Sequence, residues 1–94
     1  MHYPGRKHRQ AIMLKGFDFT EHARYQIQER AIQISWIDET LSNPQTLIPE
    51  ADVHGNTHYL KQISEFGQRW LRVVVNPNVK PQRVVTVFFD RRVK

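Results

Sequence analysis

The spacing of apolar residues along this chain changes once, and the change falls at Asn43-Pro44. Before it, Ala23, Ile27, Ala31 and Ile34 lie within about 80° of one another at helical spacing, which predicts a helix with one buried stripe. Asp18 or Thr20 can cap its start, and Glu21 stands at the positive end of the helix dipole. A second helix follows at once. Ser35 and Asp38 have the spacing of a capping box, Trp36, Ile37, Thr40 and Leu41 supply the buried side, and Asn43-Pro44 stops it. Beyond Pro44 the period falls to two. Residues 46–48 predict a short strand, and residues 57–63, 70–75 and 83–89 predict longer ones. Gly67 marks a tight hairpin, and Asn76-Pro77-Asn78 opens a polar connection closed around Lys80-Pro81. Strict alternation on the last strand sets Arg83, Val85, Val87 and Phe89 against Val84, Thr86 and Phe88. Residues 84–89 carry no charge, which places that strand at or next to the centre of its sheet. The pattern predicts an α+β domain, two N-terminal helices packed on one face of a three- to four-stranded antiparallel sheet.

At 94 residues the chain is long enough for one domain. Residues 1–16 show no periodicity and read as a flexible basic arm ahead of a domain spanning 17–94. The absence of cysteine excludes disulfides, thiolate metal sites and cysteine nucleophiles. No apolar run approaches the ~20 residues of a membrane span, and the basic start is not followed by an apolar signal core. The expectation is a soluble, cytoplasmic protein without a membrane.

Charge is distributed unevenly. Residues 1–15 carry +4, residues 16–56 carry −5, and residues 57–94 carry eight cations against two acids, +6. The strand half is therefore basic and the helical half acidic. A basic sheet suits a polyanion such as RNA, and it equally suits a solvated strand face protected by Lys and Arg.

Three residue types on this frame can carry chemistry. His22, Gln26 and Arg30 recur every four residues and line one side of the first helix. Imidazole is the side chain that ordinarily titrates near neutrality, so His22 suits a general acid/base, while Arg30 suits bidentate phosphate binding. A hydrogen-bonded surface histidine and an ion-paired arginine are the plain alternatives. Thr86, one hydroxyl in an apolar strand, can donate to a phosphate or simply pack. Tyr59 and Lys61 share a strand face and suit base stacking and phosphate contact; with Arg72 and Arg83 they are the cationic and aromatic candidates for RNA binding on the sheet. Only His54 and His58 have spacing near that of metal ligands, so no metal or cofactor is expected.

The same residues resemble a bacterial family, DUF4258, whose members read T-x-H-A-x-x-R-M-x-E-R-G-I-S. A short helix ending in N-P follows, then G-x-x-Y, L-x-V-V-V and a closing V-V-T-V. Here the matches include Thr20, His22, Ala23, Glu29, Arg30, Ile32, Asn43, Pro44, Gly55, Tyr59 and the valine runs at 73–75 and 84–87, spanning about residues 17–90. Ala31 stands where that family usually has Gly, and Ile27 stands near its usual Arg-Met pair. More distantly the chain is similar to RelE-like and BrnT-like toxins. That likeness implies metal-independent RNA cleavage by acid/base chemistry, an antitoxin partner, and a catalytic set of His22, Arg30, Lys61 and Thr86. The functional expectation is a toxin-type endoribonuclease. A catalytically inert RNA-binding or protein-interaction module of the same fold is the alternative, and a purely structural domain a third.

Overall fold

The computed structural model describes residues 12–93. Most of the expected arm, residues 1–11, lies outside the described residues. Ile12 does not belong to an arm: only 4% of it is exposed, and it joins the hydrophobic core. From there Gly16, at φ +89°, turns the chain so that Leu14 bridges Phe17, a left-handed conformation that only glycine adopts freely.

Strand β1 (Phe17–Phe19) leads into helix α1 (Glu21–Glu29), then α2 (Ile34–Ser42). Strands β2 (Thr46–Ile48), β3 (Thr57–Ile63), β4 (Arg69–Asn76) and β5 (Gln82–Phe89) follow, with one 3₁₀ turn at Ser64–Phe66. Among the described residues the class is α+β, with two α-helices and a five-stranded sheet in the order β1-β5-β4-β3-β2. Two details depart from expectation. The sheet has five strands, and it is mixed, because β1 runs parallel to β5. β1 is only three residues long and precedes a helix, so it has no alternation to read and pairs with a strand more than sixty positions away.

Thr20 caps α1. Its hydroxyl accepts from the Ala23 amide at 3.0 Å and donates to the Val85 carbonyl at 3.1 Å, so one side chain starts the helix and ties it to β5. Ala23 and Ile27 are buried as the stripe requires. Ala31 is not. The helix ends at Arg30, Ala31 turns left-handed at φ +51°, and the buried residue is Ile32. The Ala31 amide bonds the Gln28 carbonyl (3.3 Å) and the Ile32 amide bonds the Ile27 carbonyl (2.9 Å), which is the Schellman closure, with Ile32 and Ile27 as its buried pair. Glycine is the usual residue at Ala31's position in that motif.

The capping box does not form. α2 begins two residues early, with Gln33 as an N-cap that makes no side-chain bond, so Ser35 already lies inside the helix. Thr40 is fully buried and donates to the Trp36 carbonyl at 2.7 Å.

The helices cover one sheet face. Beneath them Ile63, Leu71, Val73, Val75, Val84 and Val87 form the core with Ala23, Ile27, Ile32 and Ile37. Val84 and Val87 both face inward, which strict alternation forbids. Val74 pairs with Thr86 whereas Val75 pairs with Val84, so a bulge adds a residue to β5 and shifts its phase. As expected from its uncharged run, β5 lies next to the central strand β4.

Candidate functional site

The four candidate catalytic residues do not meet. His22 is exposed in the first turn of α1, and Arg30 is exposed at its C-cap. Gln26, one turn on from His22, faces the sheet. Its carboxamide oxygen accepts from the Thr86 hydroxyl at 2.7 Å and from the Val87 amide at 2.9 Å. β1 ends opposite Val84, so Gln26 takes the place of a neighbouring strand along the rest of the β5 edge. The Thr86 proton is thereby committed within the protein. Lys61 lies two strands from β5, roughly 10 Å at the usual strand spacing. Its ammonium donates to the Asn43 carbonyl at 3.1 Å, a cation placed on the C-terminus of α2.

The candidate RNA-binding residues also separate. Tyr59 is half-buried against the helix-side core. Arg83 is exposed at the start of β5, opposite Asn76. Arg72 lies on the other, helix-free face of the sheet, where it sits in a chain of five charged or titratable side chains.

That chain begins in the loop before β3. The Asp52 carboxylate accepts the His58 Nε2–H at 2.9 Å and the backbone amides of His54 (2.9 Å) and Asn56 (3.2 Å). These bonds, the imidazole's first, hold its pKa down at about 2. The other imidazole nitrogen, Nδ1, lies 2.8 Å from Arg72 Nη1. A guanidinium only donates, so Nδ1 accepts and the proton sits on Nε2. Both ring nitrogens are occupied. Arg72 Nε then donates to Asp90 Oδ2 at 2.8 Å, and Arg92 adds Nε to Oδ1 (2.9 Å), Nη2 to Oδ2 (3.0 Å) and its own amide to Oδ1 (2.9 Å). Asp90 thus accepts four bonds, the full capacity of a carboxylate. Its side chain is 1% exposed and Arg72's is 17% exposed. The Arg92 side-chain bonds come first, with the Arg92 amide and Arg72, in holding the Asp90 carboxyl well below the usual carboxylate range despite burial.

Asp90 is also one wall of a cleft of about 180 Å³ at the end of β4 and β5, lined by Arg69, Trp70, Phe89, Asp90, Arg91 and Val93. Beside it Trp36, Phe66 and Phe89 form an aromatic cluster with ring centroids 4.9–6.0 Å apart. The Arg69 guanidinium lies over Phe66 at 4.8 Å and over Phe89 at 5.3 Å. Arg69 and Arg91 are exposed, and neither joins an ion pair among the described residues. Cations, aromatics and an open concavity converge here, at a place that residue-by-residue reading does not single out. The signal was present as Arg69-Trp70 and Phe89-Asp90-Arg91-Arg92, two clusters that an antiparallel pairing of β4 and β5 must bring to one end.

Among the described residues, no group of three His, Cys, Asp or Glu side chains is placed to hold a metal ion, and no helix is long and apolar enough to cross a membrane. No curated protein and no solved structure matches the chain significantly. One family model does, and it covers residues 19–89, from the β1–α1 junction to the last residue of β5. The Thr20 cap, the left-handed turn at Ala31 and the β4–β5 pair all lie inside that span, and the chain belongs to the family described as a domain of unknown function (DUF4258).

Proposed function

We propose that this domain is an RNA-binding module that uses the arginine-rich end of its sheet and does no acid/base chemistry there. The observation that carries the reading is that Arg69 and Arg91 line one aromatic-walled cleft whose single carboxylate, Asp90, is already saturated by Arg72 and Arg92. An acid that is fully bonded to Arg72 and Arg92 offers no acceptor to a further cation. Arg69 and Arg91 keep their charge for an anion. The histidine held in the adjoining chain of side chains, His58, has both nitrogens bonded within the protein, which argues for a strut rather than a proton carrier.

The test is binding of a fluorescently labelled single-stranded RNA. Affinity should fall steeply between about 50 and about 200 mM salt, because each neutralised phosphate releases counterions. An Arg69→Ala/Arg91→Ala double variant should bind more weakly, and its salt slope should shrink by roughly 1.4, at ~0.7 per phosphate contact on a single strand. Binding that is insensitive to salt, or unchanged in the double variant, would overturn the reading.

A second reading has one observation in its favour. His22 and Arg30 are both exposed on α1 with no side-chain partner among the described residues, as a RelE-like, metal-independent endoribonuclease of the toxin class would need of an acid/base and a phosphate clamp. An antitoxin protein would then be a partner. Loss of RNA cleavage in His22→Ala, at an unchanged melting temperature, would favour it over the binding module.

A further inference from the structure

The arginines explain attraction to a polyanion, but they leave the cleft between them without a role. Its volume of about 180 Å³ is well below the ~300–1,000 Å³ of sites that enclose a drug-sized ligand, so it admits one flat ring rather than a whole nucleotide. Its walls are apolar and aromatic, from Trp70, Phe89 and Val93. Phe89 is fixed from behind by Phe66 and Trp36. Trp70 takes no part in that cluster and is only half-buried, and its indole N–H is neither buried nor bonded to any of the described residues. Arg69 precedes Trp70 on β4, and Arg91 follows Asp90 just past β5. A cation therefore stands beside each strand's contribution to the cleft, as a backbone running past it requires.

We infer that this cleft seats the base of an unpaired nucleotide against Trp70, with Arg69 and Arg91 meeting the phosphates on either side. The inference rests on the RNA-binding reading above and gives it a strand state, since a base enters the cleft only when it is not paired. It also sets how the base is read. The one carboxylate in its walls is Asp90, whose four acceptor positions are filled by Arg72 and Arg92. That carboxylate has no lone pair left to select a base by its amino groups. Recognition by stacking is tolerant of sequence, because every base has a π face.

The test uses the full chain and four probes of equal length: hexauridylate, hexaadenylate, an abasic phosphodiester hexamer and hexaglutamate. The two base-bearing hexamers should bind about tenfold tighter than the abasic one, as expected for one stacked base, and within a few-fold of each other. They should also quench tryptophan fluorescence, which the abasic hexamer should not. Trp70→Leu keeps the apolar bulk and should bring the base-bearing hexamers to the abasic level without changing abasic binding. Should that variant fail to fold, the wild-type comparison and the quench decide. Equal binding of base-bearing and abasic hexamers, still lost in Arg69→Ala/Arg91→Ala, would overturn the base site and leave the RNA reading standing. A strong preference for one base would overturn the stacking account. Hexaglutamate binding as tightly as the RNA would overturn the base site in favour of an acidic peptide. Failure of every probe to bind would remove the RNA reading and the base site together.

Discussion

The outer side of α1 and the helix-free face of the sheet each present a histidine and an arginine, and the two pairs have opposite fates. His22 and Arg30 are exposed, and their side chains bond nothing among the described residues. His58 and Arg72 are half-buried, bond each other at 2.8 Å, and are bracketed by Asp52 and Asp90. The residue types are the same; the number of partners is not. A solvent-facing arginine is hydrated and costs little, whereas an arginine 17% exposed must be matched by a carboxylate and hydrogen bonds, or burial would be prohibitive. Titratable chemistry in a sequence therefore divides into groups left available and groups consumed by the fold, and the division follows burial.

The sharpest way to break that contrast is to remove Asp90. Asp90→Ala leaves Arg72 half-buried without its carboxylate and frees Arg92, and it should cost roughly 3–5 kcal/mol in urea unfolding. His22→Ala and Arg30→Ala should each stay within about 0.5 kcal/mol of wild type, as exposed substitutions do. A similar loss at all three positions would erase the distinction between the two faces.

A smaller effect, of the opposite sign, comes from the end of α1. Ala31 holds a left-handed conformation that costs an L-residue roughly 1 kcal/mol. Ala31→Gly should stabilise the domain by about that amount, raising the melting temperature by about 4–8 °C. A lower melting temperature would mean that the added freedom of glycine in the unfolded chain outweighs the relieved strain.

The smallest expected effect is on acid stability. The Asp52 pKa is depressed to about 2, so its stabilising contribution is complete above the unfolded value near 4 and is lost as pH falls from there through about 2. Asp90 is depressed as well and loses its contribution over the same descent and further below. Asp52→Asn should therefore show a shallower loss of stability between about pH 4 and pH 2 than wild type. Parallel acid titrations would show that the loop anchor at His58 contributes nothing to acid sensitivity.

Much of this fold was legible in the chain because its signals are local. The Thr20 cap, the apolar spacing that buries Ala23 and Ile27, the stop at Asn43-Pro44 and the uncharged run of β5 each depend on residues within one or two turns of one another. The misreadings share the opposite property. β1 pairs in parallel with a distant strand, the bulge at Val74/Val75 is defined only between two strands, and the exit of Ala31 from the helix depends on Ile32 finding the core. Each is settled by a partner the local window does not contain.

The candidate site divides along the same line. The sequence by itself determined that the strand half is basic, that it lacks cysteine chemistry, and which few side chains could move a proton or bind a phosphate. Only the tertiary structure decided that Thr86 is bound to Gln26, that Lys61 closes α2, that His58 and Arg72 are locked between two carboxylates, and that Arg69 and Arg91 line an open aromatic cleft without an ion pair among the described residues. Charge and functional groups are properties of residues and add along a chain, whereas availability is what remains after burial and hydrogen bonding between distant segments have taken their share.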